Sequence, residues 1–362
     1  MNVSRRAAIF FLLIGSLAGN TASANDDLMI VGAPVSNGMY DPSLVALTEK
    51  NLWLSYSAVQ PLPDGWPPMI SSRLARSDDG GLSWWDIRAV APAARQALPP
   101  PHDKLKAVWA NEVSRLFHVP TAPKAMQWQI LYHRYLSVWP AGMPEAMRLF
   151  DHGWIELRQA GQPEGPWSEP RKLFAGGLYN PVNNNNLGAP EQRLDKLFPQ
   201  QLGRCLAFTE PGVLVRGDIV YLALKCAAGK DSSIEMLSCD LDYKTCQPVG
   251  RLLTNADAGR LGDYASWSAP ELFEKNNKTY LLVTPTTEPH EEYRGCMLFE
   301  LESLNPARLS AKEPLWRTQF PEGAIGGACA FHPASATGLL VSRFQTAPPF
   351  FHIQATGQAL AP

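Results

Sequence analysis

The sequence has few charged residues and lacks the local motifs of most metal, nucleotide and nucleic-acid sites. Only 18% of its 362 residues are charged, the net charge is −2, and there is no basic cluster. This composition argues against a nucleic-acid partner and against an anionic membrane surface. No Cys-x-x-Cys or His-x-x-x-His spacing, no Gly-x-Ser-x-Gly elbow and no phosphate-binding glycine loop occurs. We therefore predict no metal site and no cofactor.

Cysteine is absent from the first 204 residues. The six cysteines that follow are Cys205, Cys226, Cys239, Cys246, Cys296 and Cys329. An even number fits three disulfides in an exported chain, although six cysteines allow 15 pairings. The short segment between Cys239 and Cys246 suits a hairpin, so we predict that these two are bonded. Sequence order alone suggests the other two bonds, Cys205 with Cys226 and Cys296 with Cys329.

Sustained apolar runs are also missing, except at the N-terminus. There Arg5 and Arg6 precede an apolar run from 7 to 18, and Ala22-Ser23-Ala24 has the small-residue pattern of a cleavage site. We predict a signal peptide over 1–24, with an uncleaved anchor as the alternative. Cleavage leaves a single domain over 25–362 that we expect to be soluble, without a membrane partner, and periplasmic or secreted.

A short segment from Arg76 to Trp84 indicates the fold. It has the spacing Ser-x-Asp-x-Gly-x-x-Trp, formed by Ser77, Asp79, Gly81 and Trp84. We expect Asp79 to accept hydrogen bonds from the backbone of the turn, Gly81 to adopt positive φ, and Trp84 to pack beneath the turn. The segment resembles the Asp-box of sialidases and related β-propellers, a structural turn that lies away from the active centre.

Five segments share a degenerate pattern of two apolar strands separated by a turn, which predicts hairpins. They are residues 40–47 with 51–57, 111–118 with 128–135, 209–215 with 218–225, 268–273 with 278–284, and 327–331 with 338–344. No long amphipathic helix accompanies them. We predict an all-β protein, a five-bladed β-propeller made of four-stranded antiparallel blades.

Four carboxylates lie near the starts of the first four predicted inner strands: Asp41, Glu112, Glu210 and Glu271. In a propeller such positions meet at one mouth of the central channel. Glycoside hydrolysis needs two carboxyl groups on opposite sides of one bond, one protonated and one ionised. Clustering of carboxylates raises some of their pKa values and so keeps one of them protonated. These four residues are therefore the candidate catalytic residues, with a carbohydrate as the partner.

The arrangement resembles the five-bladed propeller glycosidases that act on arabinan and xylan side chains. The resemblance implies that Asp41 is the base and Glu210 the acid, and that the enzyme inverts the anomeric centre. It places a pKa-tuning Asp in the second blade, where this chain has Asn111-Glu112 instead. Such glycosidases often hold a structural ion in the channel, so an ion there is compatible with the resemblance.

Several alternatives remain open at this level. Asp41 precedes a proline and can serve only to cap a turn, and Glu112 or Glu271 can simply pair with a basic residue. The whole chain can be a non-catalytic propeller that binds carbohydrate or protein. A sialidase-like exo-glycosidase is a third possibility. Its candidate residues are Arg73, Arg204, Arg294, Arg343 and Tyr293.

Overall fold

The computed structural model describes residues 26–34, 36–63, 66–98, 103–140, 146–181, 188–287, 292–318, 320 and 324–360. The predicted signal peptide lies outside these ranges. The strands of the described residues are β1 (Asp26–Asp27), β2 (Ile30–Val31), β3 (Met39–Ala46), β4 (Leu52–Gln60), β5 (Met69–Ser77), β6 (Trp84–Ala91), β7 (Ala94–Gln96), β8 (Lys106–His118), β9 (Trp128–Trp139), β10 (Met147–Ala160), β11 (Arg171–Ala175), β12 (Gln192–Arg193), β13 (Ala207–Arg216), β14 (Ile219–Ala227), β15 (Ser233–Asp240), β16 (Cys246–Thr254), β17 (Ser266–Lys275), β18 (Lys278–Thr287), β19 (Glu292–Tyr293), β20 (Met297–Leu304), β21 (Ala307–Leu309), β22 (Trp316–Arg317), β23 (Ile325–Ala330), β24 (Leu340–Phe344) and β25 (Phe351–Ala355).

Helices are few and short in the described ranges. The α-helices are α1 (Leu194–Leu197), α2 (Pro199–Leu202) and α3 (Asn255–Leu261). Two single turns of 3-10 helix cover Lys124–Met126 and Gly229–Asp231. None of these described helices has the length and apolarity needed to cross a membrane.

The strands form five sheets in an all-β propeller arrangement. Sheet 1 has the order β2-β6-β5-β4-β3, sheet 2 β12-β11-β10-β9-β8-β7, sheet 3 β13-β14-β15-β16, sheet 4 β17-β18-β20-β21, and sheet 5 β1-β25-β24-β23. In sheet 4, β19 also pairs with β18 and β22 with β20. Sheets 3 and 5 have the predicted four strands. Sheets 1, 2 and 4 have more because segments outside the predicted hairpins add short strands, of which β2 and β12 pair in parallel.

All five predicted hairpins are present, one in each sheet, as the strand pairs β3–β4, β8–β9, β13–β14, β17–β18 and β23–β24. We call β3, β8, β13, β17 and β23 the inner strands. Segments from all five inner strands, or directly after them, line a pocket of about 400 Å³ toward their C-terminal ends. The five strands therefore surround one channel.

Buried apolar clusters fill the spaces between neighbouring sheets. Trp53 of sheet 1 packs in one cluster with Trp128 of sheet 2, and Phe117 of sheet 2 shares another with Phe208 of sheet 3. Further clusters join sheets 3 and 4, 4 and 5, and 5 and 1. The N-terminal strand β1 closes the circle, because it pairs antiparallel with β25 at the outer edge of sheet 5.

The Ser77–Trp84 turn joins the two outer strands of sheet 1 and has the predicted local structure. Asp79 Oδ1 accepts hydrogen bonds from the Ser83 N–H at 2.9 Å and from the Ser77 hydroxyl at 2.8 Å. Gly81 has φ 98°, and the buried Trp84 ring donates from Nε1 to the Gly81 carbonyl at 2.9 Å. The turn thus connects an outer hairpin and takes no part in the inner strands.

Replacing Asp79 by Ala should lower the free energy of unfolding by about 1 kcal/mol, as for other side chains that cap a turn. Trp84→Ala should cost roughly 3–5 kcal/mol because it empties a buried aromatic site. The neighbouring Asp78, whose side chain is 57% exposed, provides the control: Asp78→Ala should change stability by less than about 0.5 kcal/mol. Denaturant unfolding of the three variants measures these differences. Equal stabilities of the Asp79→Ala and Asp78→Ala variants would contradict the assigned role.

All three predicted disulfides are present. Cys239–Cys246 closes the β15–β16 hairpin over a separation of 7 residues, and Cys205–Cys226 lies at the start of sheet 3 with a separation of 21. Cys296–Cys329 joins sheet 4 to sheet 5 over a separation of 33. No free cysteine occurs among the described residues.

The disulfides should differ in their contribution to stability. Because a longer closed loop restricts the unfolded chain more, replacing both Cys296 and Cys329 by Ser should cost about 3–4 kcal/mol. The same double replacement at Cys239 and Cys246 should cost about 2 kcal/mol. Thermal unfolding of the two double variants under non-reducing conditions tests this order, and the reverse order would refute the loop-length argument for this protein.

Candidate active site at the channel mouth

Each inner strand is interrupted at an equivalent point, where its register with the second strand shifts. One residue at each point has φ between 47° and 52°: Asp41, Val113, Glu210, Ala269 and Ala328. Positive φ is unfavourable for any residue other than glycine, and especially for β-branched Val113. Its recurrence in all five sheets shows that tertiary structure imposes it. Bulges with strained backbone are common beside functional sites.

The bulges link neighbouring sheets around the channel. The N–H of Val113 donates to Ser57 Oγ of sheet 1 at 3.2 Å, and the N–H of Ala328 donates to Thr284 Oγ1 of sheet 4 at 2.7 Å. The N–H of Asp41 donates to Ser342 Oγ of sheet 5 at 2.9 Å, which joins the last sheet to the first. These bonds fix the bulge residues relative to one another.

Asp41, the candidate in sheet 1, is completely buried, with 0% of its surface exposed. Oδ2 accepts a hydrogen bond from the Ser57 hydroxyl at 3.2 Å, and Oδ1 has no hydrogen-bond partner among the described residues. Burial raises the pKa of Asp41 well above its usual range, and the charges of Glu112 and Glu210 raise it further, against the opposing effect of Arg115. This environment favours a protonated carboxyl group.

Glu112, the candidate in sheet 2, is buried but well provided with partners. It directly precedes Val113, which is the bulge residue of β8. Tyr40 Oη donates to Glu112 Oε2 at 2.5 Å, and Arg148 Nη1 lies 3.3 Å from Oε1. Tyr135 also hydrogen-bonds to this carboxylate. These contacts hold Glu112 within a polar network instead of leaving it free to move a proton.

Glu210, the candidate in sheet 3, differs from Asp41 because a backbone N–H and a cationic side chain contact its carboxyl group. Its Oε2 accepts a hydrogen bond of 2.6 Å from the N–H of Ala269, the bulge residue of sheet 4. Its Oε1 lies 3.6 Å from Lys225 Nζ, which itself donates to Ser268 Oγ at 2.8 Å. Both the N–H and the ammonium group stabilise the carboxylate form.

Glu271, the candidate in sheet 4, lies apart from the other three because it follows the bulge of its strand by two residues. It lines the 400 Å³ pocket near the C-terminal ends of the inner strands. Its Oε2 is 2.6 Å from Nε of the buried Arg115. Burial raises the pKa of Glu271 to about 7, although Arg115 and the Ser43 hydroxyl oppose this shift. The structure therefore brings Asp41, Glu112 and Glu210 together and turns Glu271 into a buried ion pair.

The sequence analysis missed a second set of residues, each at the equivalent position on the second strand of its sheet. They are Ser57, His133, Lys225, Thr284 and Ser342, each paired with the residue just before a bulge. Burial, together with the charges of Arg148 and Lys225, lowers the pKa of His133 to about 3, so His133 is neutral at physiological pH. Hairpin register could have identified this set once the bulges were known.

Aromatic side chains surround the end of the channel at the N-terminal ends of the inner strands, which we call the mouth. Tyr40 packs against Phe351 with ring centres 5.1 Å apart, and Tyr293 packs against Phe344 at 5.4 Å. Burial and the charges of Glu210, Asp41 and Glu112 raise the pKa of Tyr293. Arg148, whose side chain is 48% exposed, reaches the Glu112 carboxylate from the solvent side. This end of the channel thus combines carboxyl groups, phenols and one arginine.

The arginines of the sialidase alternative are held separately. Arg73 pairs with Asp86 at 2.5 Å within sheet 1, while Arg204 and Arg294 form close ion pairs with Glu235 and Glu292. These three arginines thus pair with three different carboxylates, and Arg343 lies over the Phe320 ring at 4.2 Å.

Metal ligands are not gathered in the described part of the chain, where no group of three or more His, Cys, Asp or Glu side chains is arranged to hold an ion. The Lys225 ammonium beside Glu210 also makes the mouth a poor cation site. Among the described residues, then, no such group offers a ligand set for the structural ion considered above.

Comparison with known proteins identifies similar folds and no family. No protein-family model and no curated protein sequence matches this chain. A glycoside hydrolase of family 32 from Bifidobacterium adolescentis is similar with a TM-score of 0.53 and 10% identity, over 92% of this chain and 56% of that one. A family 32 β-fructofuranosidase of Bombyx mori has a TM-score of 0.50 and 14% identity, over 92% and 63% of the two chains. A family 43 endo-arabinanase from Bacillus licheniformis has a TM-score of 0.49 and 11% identity, over 89% and 94%. At such identities the first two likenesses establish the all-β propeller fold alone.

Proposed function

We propose that this chain is a glycoside hydrolase-like protein that cleaves a polysaccharide or oligosaccharide at the N-terminal end of its channel. The observation that carries the proposal is the pair of buried carboxyl groups at equivalent bulges of two inner strands, Asp41 and Glu210, in opposite environments. One environment favours the protonated form and the other the ionised form, which is what acid–base cleavage of a glycosidic bond needs. The fold shared with glycoside hydrolases is compatible with this proposal.

The contacts suggest how the two roles are divided. Resemblance alone assigns the base to Asp41 and the acid to Glu210, but Lys225 and the Ala269 N–H both stabilise an ionised Glu210. Among the described residues, the Asp41 carboxyl group accepts a hydrogen bond from the Ser57 hydroxyl alone, and its pKa is raised. We therefore assign proton donation to Asp41 and activation of water to Glu210. Glu112 serves as a positioning residue through Tyr40 and Arg148.

In this mechanism Asp41 donates its proton to the oxygen of the glycosidic bond as that bond breaks. The Glu210 carboxylate accepts a proton from a water molecule, whose oxygen attacks the anomeric carbon from the opposite side. The product has the inverted configuration, and the proton taken by Glu210 returns through solvent to Asp41. Inversion is the outcome expected when the two carboxyl groups are about 6.5–9.5 Å apart.

Hydrolysis of a panel of nitrophenyl glycosides and plant polysaccharides tests this function. The wild type should release sugar from at least one substrate, and on a polysaccharide, whose leaving group is a sugar, Asp41→Asn and Glu210→Gln should each abolish most of that release. Glu271→Gln is the control, because Glu271 pairs with Arg115 and lines the pocket on the C-terminal side of the bulges. Polysaccharide turnover that survives each of these two substitutions would refute the assigned site.

A non-catalytic propeller that binds carbohydrate is the second candidate function. Two observations favour it: Asp41 has no exposed surface, and the second bulge has Val113 where the resemblance implies an acidic residue. In that case the wild type would cleave no substrate of the panel but would bind oligosaccharides in a calorimetric titration.

We also propose assignments for the blades, for the Ser77–Trp84 turn and for the N-terminal segment. Each of the five sheets is one blade, as supported by the five equivalent bulges and the five inter-sheet cores. The Ser77–Trp84 turn is an Asp-box of the sialidase type. Residues 1–24 are a signal peptide, and the three disulfides suit a periplasmic or secreted protein. N-terminal sequencing of the exported protein tests this last point, because the mature chain should begin at Asn25.

A further inference from the structure

A second pocket, of about 410 Å³, lies beside the mouth between sheets 1 and 2. Three cationic side chains line it, Arg134, Arg158 and Lys172, and we call it the cationic pocket. Two carboxylates also line it, the buried Glu156 and the exposed Glu169 at its rim. The lining therefore has one more positive than negative charge, in a protein whose net charge is −2.

The Glu156 carboxylate already accepts hydrogen bonds within the protein. Its Oε2 accepts from Tyr132 Oη at 2.6 Å, and its Oε1 accepts from Trp154 Nε1 at 2.7 Å. Arg134 Nε is more distant, at 3.6 Å from Oε1. Glu156 thus orients the aromatic wall and offsets only part of the positive charge around it.

The three cations are held in place before any ligand arrives. The Arg134 guanidinium lies 4.7 Å from the ring centre of Trp109, and Lys172 Nζ lies 4.3 Å from that of Trp154. Arg158 donates from Nε to Tyr132 Oη at 3.3 Å and from Nη1 to the Ser168 carbonyl at 3.2 Å. Groups fixed by such contacts lose little entropy when they bind a ligand.

Cations gathered in a partly buried pocket repel one another. Burial lowers the pKa of Lys172, and Arg134 lowers it further against the opposing charge of Glu156. An anion bound among these groups would relieve that repulsion. The planar fork of a guanidinium group suits the two oxygens of a carboxylate.

The cationic pocket is also connected to the mouth. Arg134 Nη1 donates to Asn111 Oδ1 at 3.0 Å, and Asn111 directly precedes Glu112 in β8. A sugar chain with one unit at the mouth can therefore place a neighbouring unit toward Arg134.

We propose that the cationic pocket binds the carboxylate of an acidic sugar unit, a uronic acid within the substrate chain. The preference for an anion rests on the pocket alone, whereas the choice of a sugar acid also rests on the proposed function. Arg158 and Lys172 would contact the carboxylate, and Arg134 would hold the wall next to the mouth.

Calorimetric titration of the wild type with galacturonic acid oligosaccharides, neutral galactose oligosaccharides and galactose 6-sulfate tests the proposal. The acidic oligosaccharide should bind at least about tenfold more tightly than the neutral one, and added salt should weaken it. Arg158→Gln and Lys172→Gln should each reduce that affinity about tenfold or more. Arg251→Gln, on the outer strand of sheet 3 with a partner of its own, should leave it unchanged.

Equal affinity for acidic and neutral sugars, or acidic binding that survives both pocket substitutions, would overturn the proposal. Tighter binding of the sulfate ester than of the uronate would overturn the choice of a carboxylate. Thermal melts confirm that each variant is folded. A wild type that binds uronate but hydrolyses no substrate of the panel would refute the proposed hydrolase and leave the cationic pocket standing.

Discussion

Replacing Arg115 by Met is expected to lower the free energy of unfolding by about 3–5 kcal/mol, the cost of breaking a buried ion pair from one side. Arg115 is 1% exposed and lies 2.6 Å from Glu271. It also donates to the carbonyls of Pro42 in sheet 1 at 3.4 Å and of Pro270 in sheet 4 at 3.2 Å. Its loss therefore leaves one carboxylate and two carbonyl groups buried without their partner. Denaturant unfolding measures the cost.

The cost of Arg115→Met should depend on pH. The pKa of Glu271 in the folded protein is about 7, above its usual value of 4.5. A raised carboxyl pKa contributes stability that is present at low pH and is lost as pH rises through about 7. Without Arg115 the carboxylate loses its counter-charge, so the variant should be less affected at about pH 5 than at about pH 8.5.

The double variant Arg115→Met with Glu271→Leu provides the matched control. Because it removes both charges, it should be more stable than Arg115→Met alone, with a coupling energy of roughly 1–3 kcal/mol. Additive effects of the two substitutions, or a cost of Arg115→Met that is the same at both pH values, would show that the ion pair is unimportant.

Replacing Asp41 by Asn is expected to reduce kcat about 10²–10⁴-fold on a substrate with a sugar leaving group, the usual contribution of a general acid or base. If Asp41 donates the proton, the loss should be much smaller with a dinitrophenyl glycoside, whose leaving group departs without protonation. Glu210→Gln should instead lower the rate by a similar factor on both substrates, because water activation is needed in each case. Initial rates on the two substrates give both ratios.

The reverse pattern, with a leaving-group effect for Glu210→Gln and none for Asp41→Asn, would restore the roles that resemblance implies. Glu271→Gln serves as the control because it changes a buried carboxyl away from the mouth. It should retain the wild-type rate per folded molecule on both substrates.

Much of the fold could be predicted from the sequence because each hairpin is a local pattern. In each one, two short apolar segments are separated by a few turn residues, and the five hairpins predicted from this pattern are all present. The disulfide Cys239–Cys246 follows from the same local reasoning, since a hairpin brings its two ends together. The short strands β2 and β12 could not be predicted, because they exist only where they pair with a neighbouring strand.

The candidate site was harder to predict because it depends on bulges. Asp41 and Glu210 occupy bulge positions, whereas Glu112 precedes a bulge by one residue and Glu271 follows one by two residues. All four look alike in sequence, since each lies near a proline or near the start of a strand. Only the register of the strands shows that Glu271 points to Arg115, away from the other three.

The partners that decide protonation were the least predictable from sequence. Lys225 reaches Glu210 from β14 and Arg148 reaches Glu112 from β10, over sequence separations of 15 and 36 residues. Such pairs form only when the strands are in register and the sheets are packed side by side. Once the bulges are known, the residue opposite each of them can be found by counting along the hairpin.

Infrared difference spectroscopy at neutral pH tests most directly the claim that the mouth holds one protonated and one ionised carboxyl group. A protonated carboxyl group has a C=O stretching band distinct from that of a carboxylate, and wild-type-minus-variant spectra assign the band to a residue. The Glu271→Gln spectrum identifies the contribution of Glu271, whose pKa is about 7. We predict that Asp41→Asn removes a protonated-carboxyl band and that Glu210→Gln removes only carboxylate absorption. Loss of the protonated band in Glu210→Gln, with none lost in Asp41→Asn, would contradict the account.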